Sequence, residues 1–154
     1  MKKLLILSAI ISSSFCSKSF AQAKSIFFEV GGPGLASVNF DTRFTKSEKG
    51  IGGRLGIGAF NVDGASAVFI PLSVNYLLSK DERNYFEIGG GVTPVIINGN
   101  DDDGSLTGTF GHLNFGYRLQ PKEGGFLFRA AIIPVFGNGF FWPYYAGVSF
   151  GYKF

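Results

Sequence analysis

The last nine residues, Ala146-Gly147-Val148-Ser149-Phe150-Gly151-Tyr152-Lys153-Phe154, alternate without a break. Ala146, Val148, Phe150, Tyr152 and Phe154 fall on one face, and Gly147, Ser149, Gly151 and Lys153 on the other. A period of two over this length is the signature of a β-strand. The same pattern recurs upstream. Ala36, Val38, Phe40 and Phe44 oppose Ser37, Asn39, Asp41 and Arg43. Leu113, Phe115, Tyr117 and Leu119 oppose His112, Asn114 and Arg118, and Phe126, Phe128, Ala130 and Ile132 oppose Arg129.

Turn residues between these runs predict eight strands, near 25–31, 35–45, 51–60, 67–79, 84–97, 107–120, 125–136 and 142–154. Two kinds of connection take turns along the chain. Lys46 to Gly50, Lys80 to Arg83 and Pro121 to Gly124 are short and charged. Gly31 to Gly34, Val62 to Ser66, Asn98 to Leu106 and Gly137 to Phe140 are glycine-rich and uncharged or acidic. Short turns on one rim and looser loops on the other describe an up-and-down barrel. An eight-stranded interior is just wide enough for side chains to fill it. The large apolar faces are too bulky to go there together, so they point outward into lipid. The expected fold is therefore all-β, an eight-stranded antiparallel up-and-down transmembrane β-barrel. Roughly 16 residues per strand and connection suit membrane strands of about 9–11 residues.

Turning the apolar faces outward sends the charges inward. Glu29, Asp41, Arg43, Arg54, Glu87, His112, Arg118, Arg129 and Lys153 form the expected luminal polar network. Unpaired charges in a narrow lumen are costly, so pairing is expected, with Arg118 and Arg129 sharing acids drawn from Glu29, Asp41 and Glu87. Gly52, Gly56, Gly58, Gly89 and Gly91 leave room for long arginines. Proline cannot donate to a ladder. Pro71, Pro94, Pro134 and Pro143 are therefore expected at the loop-bearing rim, where pairing can end or bulge.

Composition excludes other classes. Charged residues make up 16% of the 154, aromatics another 16%, and mean hydropathy is +0.22. So apolar a chain cannot stay disordered. Twenty-three glycines argue against a helical bundle. Past the N-terminus no apolar run approaches about 18 residues without glycine or charge, which argues against membrane helices.

Residues 1–23 read as a secretory signal peptide for Sec export, leaving 24–154 as the barrel domain. Lys2 and Lys3 are the charged start, Leu4 to Ile11 the apolar stretch and Ala21-Gln22-Ala23 the cleavage site, with cleavage after Ala21 the alternative. Cys16, the single cysteine, leaves with the leader, and Phe15 before it is too bulky for an acylation motif. Lys2, Lys3 and Lys18 leave too, so 11 basic residues face 11 acidic ones. The pI near 9.0 belongs to the leader and supports no nucleic-acid partner.

Several motifs together resemble a family of small, uncharacterised outer-membrane β-barrel proteins of Bacteroidetes-type, Gram-negative bacteria. They are Phe27-Phe28-Glu29-Val30-Gly31-Gly32, Val38 to Phe44, Leu113 to Arg118 with Gln120 to Phe126, and Gly147 to Phe154. The likeness spans nearly all of the chain after the leader. It implies a place in the outer membrane and no established activity. Phe154 with Tyr152 is similar to the C-terminal signal read by the barrel-assembly machinery, although Ser149 stands where that signal usually has glycine.

Catalytic signals are thin. Outer-membrane lipid deacylases pair a histidine with a serine two residues on, and here Asn114 follows His112. A histidine without nucleophile and orienting acid cannot run acyl transfer. Asn98 to Gly104 fails the calcium-loop template, because position six is Asp103 and position twelve Thr109. Phe140, Phe141, Trp142 and Tyr144, with Phe136 and Tyr145 nearby, form an aromatic outer rim: a girdle at headgroup level, or a site for an apolar ligand.

The expectation is a monomeric outer-membrane barrel with a filled polar lumen. It has a structural role or binds through its outer loops, with no catalysis, metal or cofactor, and its partners are membrane lipids and the assembly machinery. The rival readings are a small-solute channel, a lipid-modifying enzyme and a soluble periplasmic barrel.

Overall fold

The computed structural model describes residues 22–62, 65–98 and 106–154. The expected leader up to residue 21, with Cys16, lies outside the described residues, as do 63–64 and the acidic stretch 99–105. Eleven strands run in order: β1 Lys24–Gly31, β2 Ala36–Arg43, β3 Gly50–Val62, β4 Ala65–Phe69, β5 Leu72–Leu78, β6 Asn84–Asn98, β7 Leu106–Leu119, β8 Gly125–Ile132, β9 Val135–Gly137, β10 Phe140–Trp142 and β11 Ala146–Lys153. β4 and β5 both pair with β3 and β6, so they make one stave. β8 with β9, and β10 with β11, make two more. Eight antiparallel staves result. They close where β1 pairs with β11, from Ser25 opposite Lys153 to Gly31 opposite Gly147. A closed ladder leaves no edge for lipid to meet, which is why this architecture can span a bilayer.

Prolines set the breaks. Pro71 separates β4 from β5, Pro134 separates β8 from β9, and Pro143 separates β10 from β11. Pro94 stays inside β6, opposite Thr109. In an antiparallel strand the N–H and C=O of one residue point the same way. The Pro94 carbonyl accepts from the Ile70 N–H at 3.0 Å, so the missing Pro94 N–H faces the β4–β5 break. The sequence puts all four prolines at the loop rim, and one position needs correcting. Pro71 lies near the middle of its stave and is buried, and its carbonyl accepts from Gly56 at 2.8 Å. The break is tolerated there because β3 and β6 keep their other partners.

Alternation puts the small and charged residues inside. Ile57, Leu55, Phe86, Phe126 and Phe150 are about half exposed or more on the outside. So continuous an apolar exterior suits hydrocarbon and not water. Lys24 at the start of β1, Phe154 and the turns 44–49, 79–83 and 120–124 sit at one end, the turn end. The opposite end is the loop end.

The connection after β1 departs from the expected outer loop. Gly32–Gly34 form a single 3₁₀ turn, and all three residues are buried. Gly31 and Gly32 have φ of 75° and 68°, which glycine adopts freely. A Cβ on Gly58 would strike the Gly34 carbonyl, and one on Gly147 would lie 3.0 Å from the Gly32 nitrogen. The turn therefore folds into the barrel mouth and caps the lumen between β3 and β11.

Candidate functional site

Four arginines and three carboxylates meet in the lumen, carried inward by the alternation of β1, β2, β3, β6, β7 and β8. They form one chain of alternating sign: Arg43, Asp41, Arg118, Glu87, Arg129, Glu29, Arg54. Arg43 Nη2 lies 2.7 Å and Arg118 Nη2 3.0 Å from Asp41 Oδ1. Arg118 Nη1 is 3.4 Å from Glu87 Oε2. Arg129 grips Glu87 with two donors, Nη2 at 2.5 Å and Nε at 2.9 Å, and reaches Glu29 Oε1 at 3.3 Å. Arg54 pairs with the other Glu29 oxygen. No side chain in the chain is more than 3% exposed.

Neutral groups take up the spare donors and acceptors. Asn114 donates to Glu87 at 3.0 Å, and Asn75 donates to Asp41 at 2.6 Å. Asn39 accepts from Arg54 Nε at 2.9 Å, and Ser25 accepts from Arg118 at 3.0 Å. Ser149 accepts from Arg129 and donates to Glu29, both at 3.2 Å. The Phe27 ring lies under two guanidinium groups, at 5.2 Å from Arg54 and 4.6 Å from Arg129. Such contacts favour a cation most when water is absent. Charges this deep persist only because each has an opposite partner and further hydrogen bonds.

His112 stands apart from this chain. Its Nδ1 lies 3.3 Å from Thr93 Oγ1, and Nε2 has no partner among the described residues. Ser149 is held by Arg129 and Glu29, and among the described residues no contact joins it to the histidine. Among the described residues no group of three or more His, Cys, Asp or Glu side chains could hold a metal ion. Lys153 lies at the turn end, where its Nζ meets Glu48 Oε1 at 2.6 Å and the Lys122 carbonyl.

The barrel geometry has counterparts among solved structures. The N-terminal β-barrel domain of Pseudomonas aeruginosa OprF superposes with a TM-score of 0.62 at 16% identity, over 86% of this chain and 96% of that one. The outer-membrane protein Ail of Yersinia pestis gives 0.51 at 12% identity, over 87% and 100%. The fold is that of the eight-stranded outer-membrane β-barrels. No family model matches the sequence, and no curated protein does.

The same fold shows what alternation alone missed. Glu48 sits in the turn between β2 and β3, where no periodicity points, yet it bonds Lys153 and accepts from Gln120 Nε2 at 3.2 Å. Phe27, Leu77, Tyr85, Leu127, Ile133 and Val135 are buried beside the polar groups, so the lumen has apolar packing as well as charge. Their parity already put them inside; their chemistry did not attract notice. The luminal glycines divide by neighbour. A Cβ on Gly52 would strike the Arg43 guanidinium, and on Gly56 the Asn39 amide, whereas at Gly89 and Gly91 it would meet the backbone of β5. Phe140, Phe141, Trp142 and Tyr144 are exposed at the loop end of the last stave. Phe140 packs at a tilt against Trp142 at 5.6 Å and edge-on to Phe110 at 6.3 Å. Tyr152 and Phe154 lie outside at the turn end with ring centroids 5.7 Å apart.

Proposed function

We propose that this protein is an integral barrel of a Gram-negative outer membrane, monomeric, with a closed lumen and no catalysis. Its role is structural or lies in binding through its loop end. The order of its sequence motifs supports membership of the Bacteroidetes-type family of small barrels. On this reading the chain is exported by a leader ending near residue 23, and the assembly machinery recognises Tyr152 and Phe154. The observation that carries the closed lumen is the chain from Arg43 to Arg54, which crosses the interior without a gap in its pairing. An ion entering this path must displace a buried pair, and removing one partner of such a pair costs about 3–5 kcal/mol.

The test is conductance in planar bilayers with purified, refolded protein. The expected trace shows no steady single-channel steps. Regular steps that scale with salt would replace the closed barrel with the small-solute channel.

A further inference from the structure

The outer face of β2, β3, β5, β6 and β7 is not smooth. Directly paired residues form three rows across these strands. Phe40, Leu55, Leu72 and Val92 make one ridge, and Ile51, Tyr76, Ile88 and Phe115 make another. Between them run Thr42, Gly53, Val74, Gly90 and Leu113. The two glycines lower this row on either side of Val74, with the Phe44 ring lying over Gly53 and the Leu113 side chain beside Gly90. Two apolar grooves of about 420 and 400 Å³ result, and they adjoin at Val74.

A basic collar borders the same face at the turn end. Lys46, Lys49, Lys80 and Arg83 are exposed in the turns after β2 and β5. None of them makes an ion pair among the described residues, since the nearby acids are engaged elsewhere. Glu48 holds Lys153, Glu82 holds Lys122, and Asp81 accepts from the Arg83 and Asn84 amides of its own turn. A third, open depression of about 500 Å³ lies beside Leu78, Ser79, Lys80, Asp81 and Asn84 where the face meets the collar.

We infer that this face binds an anionic diacyl phospholipid from the leaflet at the turn end. Its acyl chains seat in the grooves about Val74, and its phosphate meets Lys46, Lys49 and Lys80. The inference rests on the outer-membrane reading. Charge selects this occupant over a second copy of the chain. The bilayer holds all copies at one height, so a copy docked here would bring two basic collars side by side. An anionic headgroup instead gains from each lysine near the surface.

The test is native mass spectrometry of the protein released from vesicles of equal phosphatidylcholine and phosphatidylglycerol. A heat-modifiability gel on the same sample shows whether the barrel is folded and inserted. Failure on that gel strikes the outer-membrane reading, and the lipid count is read only from inserted protein. The wild type is expected to retain phosphatidylglycerol at least about fivefold over phosphatidylcholine, the effect of one lysine near an anionic surface. Lys46→Gln, Lys49→Gln and Lys80→Gln combined should abolish the preference. Val74→Trp, which places a bulky ring where the two grooves meet, should reduce retention of both lipids. Equal retention of the two lipids by the wild type, or wild-type retention in either variant, would overturn the inference. So would a two-chain species that Val74→Trp removes.

Discussion

Glu87 is the residue on which the interior turns. It takes two donors from Arg129, one from Arg118 and one from Asn114. Glu87→Leu leaves both buried guanidinium groups with one carboxylate fewer, and should cost about 3–5 kcal/mol. The measurement is the urea midpoint of refolded protein in lipid vesicles, and an unchanged midpoint would sink the paired-lumen account. Glu87→Gln keeps the shape and two acceptor directions and should fall between wild type and Leu. Parity in Tyr85-Phe86-Glu87-Ile88-Gly89 already turned this carboxylate inward. It could not name its partners, because they lie 31 and 42 positions away and depend on how far an arginine reaches. Glu48 marks the other limit. A turn residue has no period, and only the folded turn carries it over the lumen to Lys153.

At the scale of elements, the strands were legible because each charged turn breaks a two-residue period that resumes beyond it. The expected 84–97 became Asn84–Asn98, and 107–120 became Leu106–Leu119. What stayed hidden was the inward fold of Gly32–Gly34, since four small residues read equally well as a loop in water. The need for glycine there is measurable. Gly31 has φ of 75°, and a Cβ would press on the Ala146 carbonyl, whereas Gly139 has φ of 83° with nothing within 4 Å. Gly139→Ala should cost only the left-handed penalty of about 1–2 kcal/mol. Gly31→Ala should cost more, because the closing β1–β11 seam must also move. Paired denaturation curves in vesicles compare the two, and equal losses would refute the close approach of Gly31 to the Ala146 carbonyl at the seam. The turn before β6 offers a pH test. Hydrogen bonds from the Asn84 side chain, then from the Asn84 and Arg83 amides, hold the exposed Asp81 carboxyl well below its ordinary 3.8. A depressed carboxylate stabilises the fold above its unfolded value, and that contribution fades as pH falls through the folded value. The order of the turn should therefore survive to below pH 3.8. Asp81 carbon shifts followed by NMR in micelles should show a midpoint under that value. A midpoint at or above it would mean the turn is open.

Closure of the whole molecule depends on the chain's last strand meeting its first, and Phe154 stands at that seam. Its N–H donates to the Lys24 carbonyl at 2.9 Å, a backbone bond that any residue can make. Its ring is exposed beside Tyr152, at the boundary where the apolar exterior ends. Two accounts of this ring diverge. If it only covers area at the interface, Phe154→Ala loses about 1–2 kcal/mol of apolar burial and the barrel forms everywhere. If it is also the terminal aromatic that assembly machinery reads, the same change blocks insertion in cells and leaves detergent refolding nearly intact. The seam lets the two accounts be separated, because the backbone pairing that closes the barrel does not use the ring. Heat-modifiability gels of cell membranes and of refolded protein, run for wild type and variant together, separate the two. The expected outcome is a large loss of folded protein in cells with a small loss in the tube. Equal yields of wild type and variant in both settings would remove the assembly signal. If instead both proteins fractionated as soluble in the periplasm, the outward apolar face would have no lipid to meet and the membrane reading would fall with it.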